Sequence, residues 1–222
     1  MKRVLVVSPH ADDAEISCGG TIARVIAEGG EVCVALMTAG SVKFRHSGDV
    51  PTSERIQEFN ASMESLGVQY SRVLSFDLDG KMYTAPQSNF VSQLDDFIDS
   101  FKPDTILVPL PSSHQDHRYA WEVCLAATRP NISKHQPQLI AAYEYPLSCW
   151  YNGGFEAGKG GMYVDVSKYW DKKIEALKQY KTQMRGDQSL ISIRSVESLA
   201  TQRGLESGVD KAELMHVLRL HY

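Results

Sequence analysis

The first two-thirds of the chain alternate between short apolar runs and longer stretches whose apolar residues recur every three or four positions. Residues 3–7 (RVLVV) read as a buried strand, and 31–37 (EVCVALM), 72–76 and 104–109 (DTILVP) as three further strands. Between them lie helical patterns. Residues 19–28 place Ile22, Val25 and Ile26 on one side before Gly29-Gly30. Residues 52–66 carry Ile56, Phe59, Met63 and Leu66 on one face, with Gly67 as the stop. Residues 88–101 turn Leu94, Phe97, Ile98 and Phe101 inward ahead of Pro103, and a fourth helix is predicted over 116–127. A fifth strand follows at 139–143. Strands alternating with helices imply right-handed βαβ crossovers. The expected fold is therefore α/β and Rossmann-like, a mostly parallel sheet with helices on both faces, in a single domain over 1–222. Beyond residue 143 the pattern changes to a glycine-rich stretch, a short strand at 162–166, and helical segments from 167 to the end.

Composition narrows the picture little. A chain of 222 residues with 43% hydrophobic and 23% charged content can bury a core without disulfides. A net charge of −4 and a pI near 6.0 supply no global positive field, which argues against nucleic acid or anionic lipid as partner. The opening apolar run is too short for a signal-peptide core, and no stretch approaches spanning length. A cytoplasmic protein with no membrane span is expected. Cys18, Cys33, Cys124 and Cys149 form no CxxC pair and read as buried thiols in a reducing compartment. Cys18 is close enough to the first polar motif to line a site, although plain packing explains it as well.

The chemistry concentrates in two places. Pro9-His10-Ala11-Asp12-Asp13-Ala14-Glu15 follows the first strand, and His114-Gln115-Asp116-His117 follows the fourth. In a doubly wound sheet ordered 3-2-1-4, these strands are neighbours where the strand order reverses, so both clusters face one crevice. Imidazole and carboxylate are the ligand types of a catalytic zinc, which takes three protein ligands and keeps one position open. His10 and Asp13 are close enough to grip one ion, and one histidine of the second cluster completes the set. Such an ion lowers the pKa of water toward about 7. Asp12 is then placed to take the proton, and the spare histidine to stabilise an oxyanion or protonate a leaving amine. A lone Asp after a strand is more often a helix cap, and Asp12, Asp13 and Asp116 all stand where caps are expected. Two dense clusters at the same end of adjacent strands outweigh that reading.

Two decoys fail. Gly19-Gly20 lacks the G-x-G-x-x-G spacing of a dinucleotide turn, and GGFEAGKG at 153–160 lacks the Ser/Thr and the strand–helix context of a phosphate loop.

SPHADDAEISCGGTIA resembles the signature of the PIG-L (LmbE-like) N-acetylglucosaminyl de-N-acetylases, and HQDHR resembles their second metal motif. Further likeness lies in Arg55-x-x-Glu58, Asp79-Gly80, the run 163–167, Lys173-x-x-Ala176-Leu177 and Gln202-Arg203-Gly204. The resemblance implies zinc on His10, Asp13 and His117, although iron or another divalent ion fits such ligands in principle. It implies Asp12 as general base, and His114 as oxyanion stabiliser or acid with Asp116 orienting it. Arg55 and Asp79 match sugar-contact positions, against plain readings as a helix-surface charge and a turn residue. Ala11 and Gln115 stand where many members have Pro. The implied substrate is a small-molecule amino sugar or its conjugate, with acetyl as the acyl group. Rivals are a metal-dependent amidase for non-sugar amides and a nucleotide-sugar binding module without hydrolysis. Tyr145, Trp150 and Tyr151 are candidates for stacking on a sugar face, against ordinary packing. The stretch 152–161, half of it glycine, is expected to act as a lid over the aglycone. Whether the chain forms a homo-oligomer is left open.

Overall fold

In the computed structural model, which describes residues 1–130, 135–151 and 161–221, seven strands among the described residues form one sheet. Strand β1 (Arg3–Ser8) lies in its interior, flanked by β2 (Glu31–Leu36) and β6 (Thr105–Pro109). A two-stranded hairpin, β3 (Val42–Phe44) and β4 (Gly48–Val50), stands apart from the sheet. Beyond β2 lies β5 (Tyr70–Val73), and beyond β6 lies β7 (Leu139–Tyr143), all parallel to β1. The predicted 3-2-1-4 order is therefore present, and it places the ends of β1 and β6 side by side.

Alternation along each strand divides the interior. Val4, Val6, Val34 and Leu36 pack on one face against α1 (Asp13–Ala27), α2 (Thr52–Leu66) and α6 (Trp170–Leu177). Leu5, Val7, Cys33 and Ala35 point to the other face, against α3 (Gln87–Phe101) and α4 (Gln115–Ala127). This two-sided burial is why β1, β2, β6 and β7 read as unbroken apolar runs rather than as alternating ones. Helix α2 stops where expected, because Gly67 adopts a φ of 79° that a side chain would resist. No helix among the described residues is long and apolar enough to cross a membrane.

Three expectations need correction. The first helix begins at Asp13 rather than residue 19, and it kinks at Cys18 (φ −135°, ψ 22°), which breaks its apolar period. The third parallel strand covers Tyr70–Val73 rather than 72–76. The tail is not helical to its end. After α7 (Ile193–Ser207), β9 (Ala212–Leu220) inserts antiparallel between β7 and β8 (Gly161–Asp165). Cys18 is packed in the core, and of the four thiols only Cys149 is exposed.

The kink in α1 has a partner in β9. It turns the amides of Gly20 and Thr21 away from the preceding turn, and the Glu213 carboxylate accepts both (2.9 and 2.8 Å) along with the Thr21 hydroxyl (2.6 Å). The buried Lys173 ammonium donates to the same carboxylate at 2.6 Å. Gly20 is required there, since an added Cβ would meet Val166 at 2.7 Å. Gly20 thus serves close packing and an internal cap rather than a phosphate. The final strand is in this way bonded to the helix that carries the first polar motif.

Candidate active site

The turn from β1 into α1 is held by its own side chains. Ser8 donates its hydroxyl to the His10 carbonyl (2.7 Å) and accepts from the Ala14 amide (3.1 Å), while Asp13 Oδ2 accepts from the His10 amide (2.9 Å). Asp12 sits in this turn at φ 116°, one of only two non-glycine residues with positive φ among those described. Such a conformation costs on the order of 1–3 kcal/mol and persists where the surroundings impose it. Asp12 makes no helix-capping bond, so the cap reading does not account for it. The cap of α4 is His114, whose Nδ1 accepts from the Asp116 amide at 3.2 Å, and Asp116 is not a cap either.

Both motifs meet in a cleft of about 180 Å³ at the carboxyl ends of β1 and β6. Its floor contains His10, Asp12, Asp13 and His117, with His114 and Tyr145 beside them. Asp13 Oδ2 lies 3.2 Å from His10 Nδ1 and 3.2 Å from His117 Nε2. The imidazoles of His10, His114 and His117 also offer nitrogens within 4.8 Å of one another. The other nitrogen of His10 donates to Asp116 Oδ2 at 2.9 Å. Asp116 is itself held by the amides of Gly80 (2.6 Å) and Met82 (3.1 Å). The expected pairing of the Asp116 carboxylate with His114 is therefore corrected: it orients His10, and only its backbone amide touches His114.

Electrostatics follow from this crowding. Burial opposes a charge on His10, yet the hydrogen bonds to Asp116 and Asp13 and the charges of Asp13 and Asp79 raise its pKa to about 10. Burial would raise Asp13, but the charge of His117 and the bonds from both histidines bring it well below the usual carboxylate range. Asp12 moves the opposite way, pushed up by burial and by the adjacent Asp13 charge. His114 falls to about 4, through burial and then repulsion from His10 and His117.

Arg55 and Asp79 both line the cleft, as an ion pair. Arg55 is only 1% exposed, so it is no helix-surface charge. It also donates to the Gly40 carbonyl (3.0 Å) and to Gln183 Oε1 (3.2 Å), while Asp79 accepts from the Gly40 amide at 2.6 Å. Of the three aromatic candidates, Tyr145 lines the cleft with its ring 4.9 Å from that of His117. Trp150 and Tyr151 are exposed, pack against each other, and do not line it. The proposed lid and the phosphate-loop decoy fall almost wholly on 152–160, outside the described residues.

Sequence reading missed the walls. Val42 and Phe44 come from the β3–β4 hairpin, Leu147 from α5 (Pro146–Trp150), and Gln183, Arg185 and Ile191 from the irregular segment after α6. Ser47-Gly48 between two short runs was the available hairpin signal.

The family model for GlcNAc-PI de-N-acetylase matches residues 5–128, more than half of the chain and both motifs. The chain belongs to the PIG-L family. Among curated relatives of this PIG-L chain is the diacetylchitobiose deacetylase of Thermococcus kodakarensis. The two are 29% identical over 96% of this chain and 82% of the relative. A structure of the N,N'-diacetylchitobiose deacetylase of Pyrococcus horikoshii superposes with a TM-score of 0.76 at 23% identity, over 98% of this chain and 84% of that one. The 4-carboxy-2-hydroxymuconate hydratase of Pseudomonas putida superposes with a TM-score of 0.72 at 21% identity, over 100% of this chain and 98% of its own. The PIG-L fold thus carries more than one reaction, and the side chains in the cleft must decide which is run here.

Proposed function

We propose that the chain hydrolyses the N-acetyl group of an N-acetylglucosamine-type sugar or sugar conjugate, with one zinc-like ion held by His10, Asp13 and His117. The observation that carries the reading is the position of Asp13 Oδ2, 3.2 Å from a nitrogen of each histidine. Ligands about 2.0–2.2 Å from a tetrahedral ion stand roughly 3.3–3.6 Å apart, so these edges fit one small cation. The nitrogens of His10, His114 and His117 lie within 4.8 Å of one another, which makes His114 the rival third donor. Asp116 on His10 supplies the carboxylate–histidine support that metal ligands use. Iron or another divalent ion would satisfy the same donors. The bound ion supplies Lewis-acid charge that makes water acidic enough for deprotonation near neutral pH.

The remaining steps belong to the chain. Asp12 lines the same cleft and has a raised proton affinity, which suits it to take the proton of the attacking water and pass it to the leaving amine. His114 is neutral at pH 7 by its lowered pKa, and its Nδ1 is occupied by the Asp116 amide. The proton therefore resides on Nε2, making His114 a neutral donor to the developing oxyanion rather than an acid. Arg55 and Asp79 form the wall against which the sugar hydroxyls lie.

Acetate release from the zinc-loaded protein tests this, with an aryl N-acetylglucosaminide and N-acetylcyclohexylamine as substrates. The sugar is expected to be hydrolysed and the plain amide not, with loss of turnover on chelation. Equal turnover of the two amides would favour the non-sugar amidase.

A further inference from the structure

Besides its charged and imidazole groups, the cleft is lined by the apolar side chains of Val42 and Phe44 from the hairpin and of Leu147 and Ile191. Arg185 lies among the same lining residues. Its side chain is exposed, lines the cleft, and makes no ion pair or hydrogen bond to any described residue. The other guanidinium in the cleft, Arg55, is already neutralised by Asp79. Arg185 is also held in place. Its amide donates to the Ile191 carbonyl (2.9 Å), and that of Met184 to the Tyr180 carbonyl (3.0 Å). Upstream, the Tyr180 hydroxyl donates to the buried Glu15 (2.6 Å). Glu58 accepts from both the amide and the hydroxyl of Thr182 (2.8 and 2.6 Å), and Ser47 of the hairpin donates to the Thr182 carbonyl (2.8 Å). A cation without a counter-ion among the described residues, on a braced segment at the cleft, is suited to reading a specific charge on a ligand.

Resting on the deacetylase reading, we infer that Arg185 is a specificity residue that selects sugar conjugates whose aglycone carries an acidic group. The apolar side chains of the cleft take the body of the aglycone, and Arg185 pairs with its carboxylate or phosphate. The net charge of −4 makes this selection local, since the molecule as a whole repels anions.

Three aryl glycosides of N-acetylglucosamine decide the matter: 4-methylphenyl, 4-carboxyphenyl and 4-phosphophenyl. The zinc-loaded protein should prefer an acidic glycoside, and the better of the two identifies the anion. In Arg185→Gln the acidic-to-neutral ratio of kcat/KM should fall about 5- to 10-fold, mainly through KM, and Arg185→Glu should reverse the preference. Calorimetry with the deacetylated glycosides should show the same loss of affinity without relying on turnover. Added salt should erode the wild-type preference and leave that of Arg185→Gln unmoved. Hydrolysis of all three glycosides with an unmoved ratio overturns the role of Arg185 alone. Hydrolysis of none overturns the deacetylase reading and this inference with it.

Discussion

Buried carboxylates at two places along α1, its kink and its first turn, are met in opposite ways. Glu213 accepts two amides, a hydroxyl and the Lys173 ammonium, so its charge is settled within the fold. Asp12 and Asp13 are adjacent, within a crowd of three imidazoles, Asp79 and Asp116. There Asp12 is pushed up, His114 down, and His117 Nδ1 has no hydrogen-bond partner among the described residues. Backbone strain at Asp12 adds to the contrast. A satisfied buried charge marks architecture, while a crowded and strained one marks chemistry. The first should resist substitution through stability, and the second through rate.

The largest effect is expected at Glu213. Glu213→Ala strands Lys173 and the amides of Gly20 and Thr21, and should cost about 3–5 kcal/mol, lowering Tm by roughly 10 °C or more. Thermal melts check this, and a Tm within about 2 °C of wild type would dissolve the contrast.

Asp12→Asn should do the reverse. It removes repulsion from Asp13 and keeps a residue type that tolerates positive φ, so stability should hold or rise by up to about 1 kcal/mol. Turnover should nevertheless fall by roughly 10²-fold or more, because the water's proton loses its acceptor. Retained turnover would remove Asp12 from the chemistry. A smaller effect belongs to Asp116, which lies between the two classes. Asp116→Asn keeps an acceptor for His10 but loses its charge, and metal affinity should fall about 10-fold. Competition with a chelating dye measures it, and an unchanged affinity would make Asp116 a purely structural residue.

The parts of this picture that were legible in the sequence share one property: they are local. Four of the five parallel strands are apolar runs, α2 ends at a glycine, and the cleft floor comes from two contiguous motifs set by strand order, whereas the edge strand β5 (YSRV) is mostly exposed and was placed two residues late. What escaped depends on distant partners or on a misleading period. In β9, Glu213, His216 and Arg219 recur every three residues and imitate a helix, although the segment is a strand between two others. Glu213 stands 40 residues from Lys173 and 193 from Gly20, so nothing nearby marked it as a cap. Asp116 was assigned to His114 because they are neighbours in sequence, whereas its carboxylate reaches His10, 106 residues away. The walls that carry Phe44, Gln183 and Arg185 are irregular or short segments with little periodicity to read.

The central claim is that Asp13, rather than His114, completes the metal set with His10 and His117. Metal content of the purified Asp13→Ala and His114→Ala variants, each reconstituted with zinc and passed over a desalting column, tests it most directly. The account predicts about one ion per chain in the His114 variant and almost none in the Asp13 variant. Retention by Asp13→Ala and loss by His114→Ala would contradict it and assign the site to the three imidazoles.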